Sequence, residues 1–126
     1  MFFDVMIFMY TEVRVGEYSG DIKDILSKHY STFIKIDGFR SDVDKYGLKE
    51  EKGLMVISQS KGIRNEDYNV ILTCHSKDKE KAKKQADTFE EKTSLKLRDA
   101  PDNLKKLFKV MDDTFSSVED MMKLEF

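Results

Sequence analysis

A single small α+β domain spanning residues 1–126, with a mixed or antiparallel sheet of four to five strands and helices on one face, is predicted by three observations. Two short runs, Leu54–Ser58 and Tyr68–Cys74, are rich in β-branched and apolar residues. Between them Lys61-Gly62 and Asn65-Glu66-Asp67 supply turn chemistry, and together they read as a β-hairpin. A charged segment of helical composition follows at once. The tail then repeats Leu104, Phe108, Met111, Phe115, Val118 and Met122 at spacings of four and three, the seam of a long amphipathic helix. With 126 residues, 40% of them hydrophobic, the chain can bury one continuous core.

In chain order, Phe2–Val13 is apolar on both alternating faces, as befits a strand inside the sheet, paired with the hairpin. Gly16 and Gly20 punctuate its exit. Ser19 is the expected N-cap of a first helix near residues 20–31, with Ile22, Ile25, Leu26, His29 and Phe33 along one face. Phe33–Ile36 competes as a short strand turning at Asp37-Gly38. The polar stretch 40–52, with isolated Val43, Tyr46 and Leu48, reads as a surface loop. Ser76 is the expected cap of a helix over 77–92, whose small-residue stripe of Ala82 and Ala86 with Phe89 allows close approach to a sheet. Thr93–Leu97 is the expected last strand, reached by a right-handed crossover. Asp99 and Pro101 then open a helix over 101–124, with a restart possible at Ser116. This order resembles ferredoxin-like and regulatory-domain arrangements loosely, and an arrangement by itself licenses no function.

Charge excludes more than it assigns. Lys and Arg (22) nearly balance Asp and Glu (24), and a net charge of −2 creates no field to draw the chain onto nucleic acid or an anionic membrane. Lys77, Lys81 and Lys84, with Lys61 and Arg64 from the hairpin turn, outline a basic face, but Asp78, Glu80, Asp87, Glu90 and Glu91 are interleaved, so a solvated helix face is expected. The apolar N-terminus is interrupted by Asp4 and has no basic flank, and no run approaches the roughly 18–20 residues of a membrane span. The lone cysteine, Cys74, forms no internal disulfide and fits a cytoplasmic protein.

The chemically suggestive constellations are each short of what their chemistry requires. Cys74-His75 sets a thiol beside an imidazole, but neighbours on a strand point to opposite faces. Cys74 with His29 and His75 matches no usual metal spacing. Asp42–Gly47 echoes the start of a calcium loop, yet Tyr46 replaces an oxygen ligand and Gly53 stands where a Glu is required. Gly16–Asp21 joins strand to helix, a place where amides can hold phosphate, but Glu17 and Asp21 put negative charge at its mouth. No metal and no cofactor is expected.

Two functional expectations follow. The first is a non-enzymatic interaction or scaffold protein, homodimeric through Phe115, Val118, Met121, Met122 and Phe126, whose number exceeds what one small sheet can cover. The second is a regulatory domain binding a metabolite or nucleotide in a pocket near the first strand-to-helix loop, formed by Arg14, Tyr18, Ser19 and His29 with Tyr10. Neither includes a nucleic-acid or membrane partner, and neither assigns a catalytic residue.

Overall fold

In a computed structural model, which describes residues 10–36, 42–50, 53–61, 67–76 and 78–112, the chain forms one six-stranded sheet and three helices. The elements are β1 (Tyr10–Gly16), α1 (Ile22–His29), β2 (Ile34–Lys35), β3 (Val43–Glu50), β4 (Gly53–Ser60), β5 (Val70–Ser76), α2 (Lys79–Thr93), β6 (Leu97–Asp99) and α3 (Asp102–Asp112). The strand order is β2-β3-β4-β5-β1-β6, and every neighbouring pair is antiparallel. It follows that β1 and β4 run parallel with β5 between them, and β5 and β6 run parallel with β1 between them. Each pair is bridged by a segment containing a helix, so the core is two interlocked split βαβ units, and β2 and β3 extend its edge.

The expected hairpin is the centre of the sheet. Leu54, Val56 and Thr73 point to one face, and Met55, Ile57, Leu72 and Cys74 to the other; all are buried. A strand apolar on both sides is stable only where both sides are covered. On the second face lie α1 and α2, contributing Ile22, Leu26, Ala82, Ala86 and the fully buried Phe89. On the first lies α3, where Leu104 packs on Val13, Val15 and Ala100.

Several expectations are corrected. The sheet has six strands, not four or five, and its helices occupy both faces. Residues 43–50 of the supposed surface loop pair with β4 along their whole length: Asp44, Tyr46 and Leu48 are a period-two stripe, and Tyr46 and Leu48 are buried. This extended backbone rules out a calcium loop at Asp42–Gly47. The Phe33–Ile36 alternative prevails: α1 stops at His29, Tyr30 donates its N–H to the Leu26 carbonyl, β2 begins at Ile34, and Phe33 meets the Tyr46 ring edge-on at 5.8 Å.

Asp21 caps α1 in place of Ser19, and Asp78 caps α2 in place of Ser76; each carboxylate accepts the amide two residues on. Thr93 ends α2 instead of opening a strand, its hydroxyl donating to the Phe89 carbonyl. Ser94 then takes the left-handed conformation (φ 63°) that closes a helix C-terminus, which delays β6 to Leu97. Asp99 belongs to β6, and α3 starts on the Pro101 carbonyl, which accepts from Leu104 and Lys105. The continuous helix to residue 124 is not borne out: α3 is described from Asp102 to Asp112, and Phe115, Val118, Met121, Met122 and Phe126 lie outside the described residues, as do Phe2–Met9 and the Asp37-Gly38 turn.

Candidate functional site

The polar wiring of the domain concentrates where β1 leads into α1. Gly16, the last residue of β1, lies so close to the turn before β6 that a Cβ there would stand 2.6 Å from Leu97 Cδ2 and 2.7 Å from the Lys96 carbonyl. Beyond it the loop is held by two carboxamides from the facing strands. Asn69 accepts the Tyr18 N–H on Oδ1 (2.9 Å) and donates Nδ2 to the Tyr18 carbonyl (2.8 Å). Gln59, only 4% exposed, donates Nε2 to the carbonyls of Gly20 (2.7 Å) and Tyr18 (3.3 Å) and accepts the Ile22 N–H on Oε1 (2.9 Å).

The first amides of α1 are therefore spoken for. Ile22 N–H goes to Gln59, Lys23 N–H to the Asp21 carboxylate, and Asp24 N–H to the Asp21 carbonyl. These three amides are not available to a phosphate.

The clamped loop forms a wall of two clefts. One, of about 400 Å³, lies over Ser19, Gln59, Lys61 and Asn69. Its edge carries the Lys61–Asp44 ion pair (2.6 Å), which holds the Lys61 ammonium above its usual range. The buried phenol of Tyr46 nearby is also pushed up, by burial first and then by the charges of Asp44 and Asp21, with Lys61 opposing.

The second cleft, of about 600 Å³, runs between the outer face of α1 and the turn that follows α2. Tyr18, Ile25 and Leu95 give it apolar lining; Asp24, Lys28 and His29 line it from α1 and Lys96 from the turn after α2.

The residues expected to form a pocket are thus only partly united. Tyr18 and His29 share the larger cleft, and Tyr18 and Ser19 the smaller. Tyr10 stands at the far end of β1, 45% exposed. Arg14 is consumed elsewhere: its guanidinium, on the α2 side of β1, binds Glu12 (3.1 Å), Asp87 (2.7 Å) and, at still closer range, Glu90. Burial alone would lower its pKa, but the three carboxylates outweigh burial and raise it. Glu90 uses its other oxygen to accept the Leu97 N–H (3.0 Å), tying β1, α2 and the start of β6 into one node behind the larger cleft. Gln59, Asn69 and Glu90 were not singled out by sequence reasoning; a lone amide or carboxylate gives no signal until the fold brings loop backbone to it.

The remaining reactive groups are structural. Cys74 is fully buried and unbridged among α-side core residues. His75 points the opposite way, as neighbours on a strand must. Its Nδ1 lies 3.1 Å from Thr11 Oγ1 and its Nε2 3.0 Å from Thr73 Oγ1. Because the Thr73 hydroxyl gives its proton to the Val56 carbonyl (3.4 Å), the hydrogen-bond pattern assigns the donor role to His75 Nε2. Of the basic face, Lys81 and Lys84 are exposed on α2 beside exposed Glu80 and Asp87, and Lys77 and Arg64 lie outside the described residues. Among the described residues no group of three or more His, Cys, Asp or Glu could hold a metal ion, and no helix is long and apolar enough to cross a membrane. No protein-family model, no curated protein and no solved structure matched this chain when it was compared with each.

Proposed function

We propose that this is a non-enzymatic cytoplasmic interaction domain that self-associates through α3 and the chain that follows it. The observation that carries the reading is the contrast within one turn of α3. Leu104 is packed against Val13 and Val15, whereas Leu107 is 54% exposed, one of two exposed large hydrophobic residues among those described. In the sequence this apolar pattern continues through Phe115, Val118, Met121, Met122 and Phe126, a composition suited to an adaptable protein contact.

Light scattering of the full chain tests the reading. A dimer is expected, with Leu107→Glu and Met122→Glu each driving the chain to monomer while the far-ultraviolet spectrum is retained. Chain truncated after Asp113 is expected to lose the dimer as well. A native protein that stays monomeric at high concentration ends the proposal.

A further inference from the structure

The larger cleft is lined by no residue of α3, the helix invoked for self-association, and its chemistry is specific enough to name a ligand class. We propose that it binds a small apolar α-amino acid as the zwitterion. The volume, about 600 Å³, is within the range of small-molecule sites. Its apolar lining of Tyr18, Ile25 and Leu95 can receive an aliphatic or aromatic side chain, and Leu95 is already buried.

Charge narrows the class. Asp24 and Glu17 contribute carboxylates, and Lys28 and Lys96 contribute ammonium groups. A ligand of one sign meets as much repulsion as attraction here, while a ligand carrying both signs can turn each toward its opposite. The ammonium end has further support, since α2 ends at Thr93–Ser94 on the cleft wall and presents the negative end of its dipole. The carboxylate end falls to Lys28 and Lys96. A nucleotide is disfavoured because the first amides of α1 are already hydrogen-bonded to Gln59 and Asp21.

Rigidity favours the same wall. Tyr18 is held at both its N–H and its carbonyl by Asn69, and the other side of the cleft is set by Glu90 on Leu97 N–H and by the pairing of Gly16 with Leu97, so close that a Cβ on Gly16 would not fit. Ordering these segments costs a ligand nothing, because the protein has already ordered them.

The test is a titration of the full chain followed by amide NMR, with L-leucine and L-phenylalanine in turn at up to about 10 mM, a range that detects millimolar binding. The single-charge probes are L-leucinamide, which keeps the ammonium, and 4-methylpentanoate, which keeps the carboxylate. At least one amino acid is expected to give saturable shifts at Tyr18, Ile25 and Leu95, with both single-charge probes binding at least tenfold more weakly. Lys96→Ala is expected to weaken the amino acid severalfold and leave L-leucinamide unchanged. Asp24→Asn is expected to do the converse, sparing 4-methylpentanoate. Both side chains are exposed, so the spectrum away from the cleft serves as the folding control. Absence of saturable shifts with either amino acid overturns the proposal, and so do single-charge probes that bind as well as the zwitterion. The Leu107→Glu chain is expected to bind like the native one, which separates failure here from failure of self-association.

Discussion

In the first split unit the chain takes residues 17–21 to pass from β1 into α1, whereas in the second β5 ends at Ser76 and Asp78 already caps α2. The two junctions serve the same topological purpose, yet among the described residues only the first is held by carboxamides from elsewhere in the sheet region, the buried Gln59 and the half-buried Asn69. The second needs little beyond its cap and the Ser76 hydroxyl, which accepts the Asp78 N–H at 3.2 Å. The helices differ in the opposite sense: α2 is 15 residues long and inserts Ala82, Ala86 and Phe89 into the core, while α1 is 8 residues long and buries Ile22 and Leu26. One unit supplies the mass of the core, and the other spends polar groups on a loop. A loop held this firmly at the end of a sheet is where a binding surface is expected, because the backbone there is exposed and already ordered.

The sharpest way to break this contrast is to remove core from the second unit. Phe89 is fully buried and stacks on Tyr30 at 6.0 Å between ring centroids. Phe89→Ala is expected to cost about 3–5 kcal/mol, the transfer loss plus the cavity left behind, read from the midpoint and slope of urea unfolding. A loss of less than about 1 kcal/mol would mean that α2 does not dominate the core.

Gln59→Leu attacks the first unit instead. It strands the Ile22 N–H and the Gly20 carbonyl, at an expected cost of about 1–3 kcal/mol. Its signature is local: hydrogen exchange is expected to quicken across residues 17–24 and to stay native in α2. Equal quickening in both helices would show that the two junctions are not independent.

How much of this was legible in the sequence follows the same division. The hairpin at β4 and β5 and the α2 stripe were readable because burial on both faces, or along one stripe, leaves a pattern of apolar residues. β3 was misread because its apolar residues, Tyr46 and Leu48, are two apart within a charged stretch, too few to stand out until the pairing with β4 is known. The caps were assigned to Ser19 and Ser76, each two residues early, because Ser and Asp are equivalent acceptors and the choice between them is made by contacts from β4 and β5. Of the candidate pocket residues, Tyr18 and His29 line one cleft. Arg14 is drawn instead toward α2, which the sequence did not reveal because its partners Asp87 and Glu90 are more than 70 residues distant.

The caps themselves sharpen the comparison by a smaller amount. Asp21→Ala and Asp78→Ala each remove one acceptor from a helix start, worth about 0.5–2 kcal/mol. Gln59 still anchors Ile22 when Asp21 is truncated, so Asp21→Ala is expected at the low end of that range. At Asp78 the neighbouring Ser76 hydroxyl holds the cap residue's own N–H and not an amide of the first turn, so Asp78→Ala is expected at the high end. The reverse order in thermal melts would show that the carboxamide clamp does not share the capping role.

The smallest effect is one of pH, and it reports on β3 beside the first junction. The Tyr46 phenol is raised above its ordinary value of 10.0, by burial first and then by Asp44 and Asp21. A phenol whose folded pKa exceeds its unfolded one contributes stability that is fully present below pH 10 and lost as the pH climbs through the folded value. Lys61, raised by its hydrogen bond to Asp44, loses its contribution in the same direction, starting from its ordinary 10.5. Tyr46→Phe removes the first contribution and keeps the second. Unfolding measured between pH 9 and about 11.5 is therefore expected to weaken more gradually in the variant than in the native chain. If the two decline in parallel, the alkaline sensitivity belongs to the raised ammonium groups, Lys61 on Asp44 and Lys105 on Asp99, and the Tyr46 phenol contributes none of it.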